Sequence, residues 1–175
     1  MNLPNVTIER LPDQMREGLR LVFVGTAASK RSASDGHYYA HPGNRFWGIL
    51  HEAGITERRY EPHEFGALLL LGIGFTDLSK SHAGMDHQMS AQSVDVSAFR
   101  SKMEKYRPKA IAFTSKNAAS LFYNKPTGSI LLGRQTPEPG SSEIFVLSSP
   151  SGAASSHWTP QPWHDLASWL KSQDQ

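Results

Sequence analysis

The sequence predicts an α/β fold, a three-layer α/β/α sandwich around a central, mainly parallel four-stranded sheet. Short apolar runs alternate with segments of helical periodicity along most of the chain. Its 175 residues, 38% hydrophobic and 19% charged, suit one packed domain spanning residues 1–175. In open parallel sheets the binding sites lie at the carboxyl ends of the strands, so the loops that follow the predicted strands are the first places to look for function.

The first strand is predicted at residues 19–24, which are apolar apart from Arg20. The polar stretch 25–45 that follows is predicted as a long loop. Apolar side chains then recur at helical spacing, which predicts a helix over residues 44–53.

A second helix is predicted at residues 64–71 and ends at Gly72, because glycine readily adopts the left-handed conformation that closes a helix. Residues 74–78 predict a short strand, and the polar residues 79–92 predict a surface loop. The remaining predicted elements are a helix at 93–106, a strand at 110–114, a helix at 116–123, a Gly- and Pro-rich stretch at 129–142, a strand at 144–147 and a helix at 160–170.

The composition excludes several kinds of site. The chain has no cysteine, so disulfides, thiolate metal sites and a cysteine nucleophile are all excluded. His37 and His41 are four residues apart, but Pro42 follows directly and marks the segment as a loop. We therefore do not expect a metal site.

The longest apolar run, residues 68–71, is far too short to cross a bilayer, and the first residues lack the pattern of a secretory signal. A cytoplasmic protein is expected. The net charge of +2 is too small to indicate nucleic-acid binding by itself. Any contact with nucleic acid must come from local clusters and helix N-termini.

Three polar loops are expected at the carboxyl edge of the sheet, at residues 25–45, 77–92 and 148–159. In the first, Gly25 permits a sharp turn and close approach of a ligand, while Tyr38 and Tyr39 offer flat faces to a planar ring. The last is rich in serine, glycine and alanine, which suits a phosphate of a DNA backbone but is also the composition of an ordinary solvent loop.

Taken together, these segments resemble the uracil-DNA glycosylase superfamily, and most closely its mismatch-specific uracil and thymine branch. The resemblance covers residues 19–171. It is carried by the strand into Gly25, by His41-Pro42-Gly43-Asn44-Arg45-Phe46-Trp47, by Ala53-Gly54-Ile55-Thr56, by Gly74-Phe75-Thr76-Asp77-Leu78 and by Ser149-Pro150-Ser151-Gly152. The aromatic Asn-Arg-Phe-Trp segment is its most specific part.

The resemblance implies hydrolysis of the N-glycosidic bond of uracil, or of another deaminated or mispaired base, after the nucleotide is flipped out of DNA. The partner is then DNA containing such a base, and neither a cofactor nor an obligatory protein partner is implied. Tyr39 takes the stacking position over the base. The base-binding pocket is expected to contain Gly25, Thr26, Ala27, Ser32 and Tyr39.

The first motif departs from that branch. Its members have Gly-x-Asn-Pro, in which the asparagine positions the attacking water, whereas this chain has Ala27 and Ala28 at those positions. In this respect it resembles superfamily members whose carboxylate comes from another loop. Asp77 is the candidate carboxylate, and Asn44 is the alternative group for positioning water. A merely structural aspartate that caps its loop is the other interpretation of Asp77.

The last loop is expected to bind DNA through Ser149, Ser151, Gly152, Ala153, His157 and Trp158. Ala153 stands where relatives place a side chain that fills the gap left by the flipped base, and it is too small for that role. Either His157 or Trp158 replaces it, or the protein prefers single strands, in which unstacking costs less.

Two other functions compete with this one. The loss of the asparagine is also compatible with a catalytically weak relative that only binds DNA. A small-molecule hydrolase would use Ser151 with a histidine and Asp77, but the Gly-x-Ser-x-Gly pattern of the nucleophile elbow is missing.

Overall fold

The computed structural model describes residues 11–79, 94–136 and 141–174. In these residues the strands are β1 (Leu21–Ala27), β2 (Ile73–Ser79), β3 (Ala110–Phe113), β4 (Gly133–Arg134) and β5 (Glu143–Val146). The α-helices are α1 (Lys30–Asp35), α2 (Phe46–Glu52), α3 (Val96–Tyr106), α4 (Lys116–Tyr123) and α5 (Gln161–Gln173). Short 3-10 helices span Pro62–Leu71, Thr127–Ser129 and Gly152–His157.

The strands form one sheet in the order β2-β1-β3-β5-β4. The first four in this order run parallel, and β4 pairs with β5 antiparallel. The predicted fold class is therefore confirmed. The sheet has five strands instead of the predicted four, because the Gly- and Pro-rich stretch contributes the two-residue β4. Because the four long strands are parallel, their carboxyl ends meet at one edge of the sheet.

Apolar layers cover both faces of the sheet, as continuous apolar strands require. On β1, Leu21 and Phe23 face one layer, while Val22 and Val24 face the other. Apolar side chains of α2 and α5 belong to the first layer, and those of α3 and α4 belong to the second. The sheet is thus the middle of three layers, and both of its faces are occupied by packing.

The predicted loop at 25–45 is wrong in one respect, because it contains the short helix α1. Its sequence carries no apolar periodicity, so the signal on which the prediction depended was missing. The helix is fixed at its ends instead: Ser29 accepts the Ser32 N–H, and Gly36 closes it with a left-handed φ of 74°. The predicted surface loop at 79–92 lies, apart from Ser79, outside the described residues.

A segment that we call the N-terminal strap, residues 11–15, lies along the edge strand β2. Gln14 and Phe75 exchange backbone hydrogen bonds of 2.9 Å in an antiparallel bridge. The strap is also tied by its side chains, since Asp13 accepts the hydroxyl of Thr76 at 2.6 Å and forms an ion pair with Lys102. The strap covers an edge that would otherwise expose unpaired backbone groups.

None of the helices in the described part of the chain is both long and apolar enough to span a lipid bilayer.

Candidate active site

A cavity of about 690 Å³ opens at the carboxyl edge of the sheet. It lies where β1, β2, β3 and β5 end, which is the edge that the fold class indicated. The residues that line it come from strand ends, loops and helix starts, and they include Gly25, Thr26, Ala27, Ser32, Tyr39, Asn44, Asp77, Thr114, Ser115, Asn117, Ser149, Ser151, Gly152 and Ala153. All five predicted pocket residues and both predicted catalytic residues are therefore among those that line the cavity.

Asp77 reaches the cavity because of the alternation along β2. Phe75 faces the first apolar layer, and Asp77, two residues further on, points to the same side. Its neighbour on β1 is Gly25. A Cβ built on Gly25 would lie only 2.5 Å from Asp77 Oδ1, so the carboxyl group occupies the space that any side chain at residue 25 would need. Asp77 is 5% exposed at the floor of the cavity.

Tyr39 is held in an unusual backbone conformation, with a φ of 52° in the left-handed region. One face of its ring stacks on Phe46, with ring centres 4.0 Å apart and planes inclined by 16°. Its hydroxyl donates to Thr114 Oγ1 at 3.2 Å, and the Thr114 hydroxyl donates to the Val24 carbonyl at 3.3 Å. Burial, and secondly the negative charge of Asp77, raise the pKa of the Tyr39 phenol, so it stays protonated.

Ser32 lies on α1 and lines the cavity, but its hydroxyl also has a structural task. Ser32 Oγ accepts the backbone N–H of Ala40 at 3.0 Å, and it accepts the hydroxyl of Ser29 at 3.1 Å. These bonds fix the backbone next to Tyr39. The sequence alone indicated a pocket residue here, and it could not indicate this bond, because residues 32 and 40 are brought together by the turn between them.

Asn44 precedes α2. Its Oδ1 accepts the N–H of Phe46 at 2.9 Å, and its own N–H donates to the His41 carbonyl at 2.9 Å. The carbonyl end of the side chain therefore supports the start of the helix. The amide nitrogen, at the other end of the same group, can donate a hydrogen bond to a ligand.

Two loops meet at the rim of the cavity. The N–H of Arg45 donates to the Pro150 carbonyl at 2.8 Å, and its guanidinium donates to Ser155 Oγ at 3.1 Å. A Cβ on Gly152 would lie 3.2 Å from the carbonyl oxygen of Gly43, so the two backbones are almost in contact. The segment that carries the Asn-Arg-Phe-Trp motif thus holds the serine-rich loop in place.

The serine-rich loop is itself ordered by its hydroxyls. Ser149 Oγ accepts the N–H of Ser151, and Ser151 Oγ accepts the N–H of Ala153, both at 3.3 Å. These bonds start the 3-10 helix Gly152–His157. The Ser151 hydroxyl therefore acts as a helix cap, and no hydrogen bond recorded among the described residues joins it to a histidine.

His157 and Trp158 differ in their surroundings. His157 is exposed, whereas Trp158 is half-buried, packs against the first apolar layer and lies 6.1 Å from Trp163 between ring centres. The guanidinium of Arg45 stands 5.4 Å from the Trp158 ring centre. Neither residue is among the described residues that line the cavity, and the ring of Trp158 is engaged in packing.

Three polar residues of the cavity were missed from the sequence. Thr114, Ser115 and Asn117 follow β3 and begin α4, where Ser115 Oγ accepts the N–H of Ala118. The signal that could have found them was present, because the strand at 110–114 was predicted and its carboxyl end had to lie at the same edge.

The described part of the chain has no cluster of three or more His, Cys, Asp or Glu side chains that could hold a metal ion.

Comparisons with known proteins agree with this architecture. A family model described as the uracil DNA glycosylase superfamily matches residues 12–171. The fold is similar to the solution NMR structure of a proposed uracil DNA glycosylase from Methanosarcina acetivorans, with a TM-score of 0.65, 20% sequence identity, and coverage of 92% of this chain and 96% of that one. At this identity the likeness shows the fold.

Proposed function

We propose that this chain, which belongs to the uracil DNA glycosylase superfamily, is a monofunctional DNA glycosylase. It would hydrolyse the N-glycosidic bond of flipped-out uracil, or of another deaminated or mispaired base, in base excision repair. The observation that carries the proposal is the placement of a buried carboxylate, an amide and an aromatic ring in one cavity: Asp77, Asn44 and Tyr39.

Asp77 supplies the charge that this reaction needs. Breaking a glycosidic bond creates positive charge on the sugar, and a nearby carboxylate stabilises it. The oxygen of a water molecule bonds to C1′ of the deoxyribose while the C1′–N bond breaks and its electron pair leaves with the base. Asp77 accepts a proton from the water, and that proton then passes to the departing base. No lysine is among the described cavity residues, which favours hydrolysis without a lyase step.

Tyr39 and Asn44 would hold the extruded nucleotide. Stacking a base on an aromatic side chain is worth about 1–3 kcal/mol, which offsets much of the few kcal/mol that flipping costs. The cavity of about 690 Å³ lies within the usual range for small-ligand pockets. The amide nitrogen of Asn44 can donate a hydrogen bond to water, to the sugar or to a base carbonyl.

The serine-rich loop would contact the DNA backbone. It offers hydroxyls and backbone N–H groups at the rim of the cavity, and such groups commonly bind phosphate. Its wedge position is Ala153, which is small and exposed, and Trp158 is engaged in packing. We therefore expect single-stranded substrates to be processed at least as well as duplex ones.

We also propose that the chain is nearest the mismatch-specific uracil and thymine branch, a proposal that the motif at residues 41–47 supports. Ala27 lines the cavity and has no side-chain group that could hold water. In this proposal Asp77 takes over that task from the asparagine of the branch.

The test is base release from oligonucleotides that each carry one modified base. Uracil, hypoxanthine and xanthine are presented in single-stranded and duplex form, a G·T mispair is presented in duplex form, and abasic sites are detected by alkaline cleavage. We expect cleavage at uracil and a weaker reaction at one or more of the others. DNA binding with no abasic sites on any substrate would favour the catalytically weak DNA-binding relative instead.

A further inference from the structure

We infer that the hydroxyl of Tyr39 and the carboxylate of Asp77 together hold the water molecule that attacks the sugar. This inference rests on the proposed glycosylase activity and adds a second role for Tyr39 beyond stacking. It is carried by the direction of one hydrogen-bond chain and by an upper limit on the distance between two oxygens.

The chain of hydroxyls has a fixed direction. The Thr114 proton points to the Val24 carbonyl, which can only accept, and Thr114 Oγ1 therefore accepts the Tyr39 proton. With its single proton used in this way, Tyr39 Oη can only accept in any further hydrogen bond. The phenol thus presents lone pairs, and no proton, to its other neighbours.

Its charged neighbour is Asp77. A Cβ on Gly25 would lie 2.5 Å from Asp77 Oδ1 and 3.5 Å from Tyr39 Oη, so these two oxygens are at most 6.0 Å apart. An ionised carboxylate is also an acceptor only. Two acceptors within this limit repel each other, and a group that donates one hydrogen to each of them relieves that repulsion.

A water molecule fits this requirement. When it donates one hydrogen to each of two oxygens, it bridges acceptors about 4.5 Å apart, given ordinary hydrogen-bond lengths. A carboxylate offers about four acceptor sites, so Asp77 can hold this water together with its other partners. The raised pKa of Tyr39 supports the arrangement, because the phenol keeps its proton on Thr114 and remains neutral beside the carboxylate.

The bridge also orients the reaction. With both hydrogens directed at Tyr39 and Asp77, a lone pair of the water oxygen is left to form the bond to C1′. As that bond forms and the C1′–N bond breaks, the proton on the Asp77 side transfers to the carboxylate, and the electron pair leaves with the base. Tyr39 acts as a positioning residue through its oxygen, while Asp77 accepts the proton.

The test removes the hydroxyl and keeps the ring. In single-turnover reactions with saturating enzyme, we expect Tyr39→Phe to release base about tenfold more slowly, with an unchanged half-saturating enzyme concentration. The factor should be the same for every base that the wild-type protein releases, because the water is common to all of them. Tyr60→Phe is the matched control, since Tyr60 packs at the edge of the first apolar layer outside the cavity, and it should keep the wild-type rate.

Two variants of Thr114 test the direction of the chain. Thr114→Ser keeps the acceptor for the Tyr39 proton and should stay within about twofold of the wild-type rate. Thr114→Val removes it, so the Tyr39 proton turns to Asp77 and displaces the water. Its rate should fall about as far as that of Tyr39→Phe, although the tyrosine is intact.

The possible results separate the two proposals. An unchanged rate in Tyr39→Phe, in a wild-type background that releases base, would overturn this inference and leave the glycosylase activity standing. A loss confined to particular bases would also overturn it, because the hydroxyl would then be reading the base. If the wild-type protein releases no base from any substrate, both proposals fall.

Discussion

The pairing of Gly25 with Asp77 is the residue-scale feature on which the site depends. The two residues are neighbours on adjacent parallel strands and project to the same side of the sheet. Strand positions that project into a packed layer normally carry a side chain, and here a glycine leaves that volume to a carboxyl group. The carboxyl group can therefore lie at the floor of the cavity.

The substitution Gly25→Ala tests this pairing. The new methyl group would lie 2.5 Å from Asp77 Oδ1, so the carboxylate must move. A displacement of about 1 Å at a catalytic group can cost about 100-fold in rate, and we expect a loss of that size in base release. The free energy of unfolding should fall by only about 1–3 kcal/mol, the usual cost of overpacking, as measured by urea denaturation.

Gly48→Ala is the matched control for that substitution. Gly48 lies inside α2, and among the described residues outside that helix a Cβ there meets the flexible side chain of Arg59 alone, no closer than 3.6 Å. Alanine is favoured over glycine in a helix by about 0.5–1 kcal/mol, so this variant should be slightly more stable and fully active. Full activity in Gly25→Ala would contradict the account of the pairing.

At the residue scale, the sequence indicates which residues line the site better than it indicates their hydrogen-bond and packing partners. Gly25 was identified because it follows an apolar run, which is a local pattern, and Asp77 was identified from the family resemblance and its place at the end of a predicted strand. The hydrogen bond from Ala40 to Ser32 and the packing of Trp158 on Trp163 depend on how the turns between these residues fold. Such contacts leave no local signal, so the side-chain partners had to come from the structure.

At the scale of elements, the N-terminal strap explains how the edge strand β2 is held. The strap reaches β2 closely enough that a Cβ on Gly74 would lie 2.6 Å from the Gln14 carbonyl oxygen and 2.6 Å from Leu19 Cδ1. The strap also touches the site, because the Tyr38 hydroxyl donates to the Pro12 carbonyl at 3.0 Å. Gly74 therefore lets the N-terminal strap pack closely on β2, and the strap in turn holds Tyr38, the residue before Tyr39.

We predict that Gly74→Ala loosens the strap. The methyl group must displace the Gln14 backbone, so the bridge between Gln14 and Phe75 should open more often. Hydrogen exchange at the two backbone amides of that bridge should become at least about tenfold faster than in the wild-type protein.

Gly128→Ala serves as the control for the strap, because no atom of the other described residues lies within 4 Å of a Cβ at that position. Its exchange rates at Gln14 and Phe75 should match those of the wild-type protein. Unchanged protection in Gly74→Ala would show that the strap does not depend on this close approach.

Elements with a clear periodic pattern of apolar residues could be predicted from the sequence. Elements that are very short, or that depend on capping hydrogen bonds, could not. The helix at 116–123 was predicted with the bounds of α4, because its buried side chains recur at helical spacing and Ser115 caps it. Helix α1 has one buried residue, Ser32, and depends on its caps. Strand β4 has only two residues, too few to show an alternating pattern.

At the scale of the whole molecule, the parallel order of the sheet brings the site together. Both faces of the sheet are covered by apolar layers, so polar groups accumulate at the carboxyl edge. The fold class was predictable because strands and helices alternate along the sequence. The contact between the loops at 41–45 and 150–155 was not predictable, because it depends on interactions of Arg45 and Gly152 across the edge of the sheet.

The central claim is that the carboxylate of Asp77 performs the chemistry, and one rate comparison tests it most directly. The measurement is single-turnover release of uracil from a single-stranded oligonucleotide by the wild-type protein, by Asp77→Asn and by Asp165→Asn, whose aspartate is exposed on α5. We predict that Asp77→Asn slows release at least about 100-fold, as loss of a catalytic acid–base group usually does, while Asp165→Asn keeps the wild-type rate. A wild-type rate in Asp77→Asn would contradict the account.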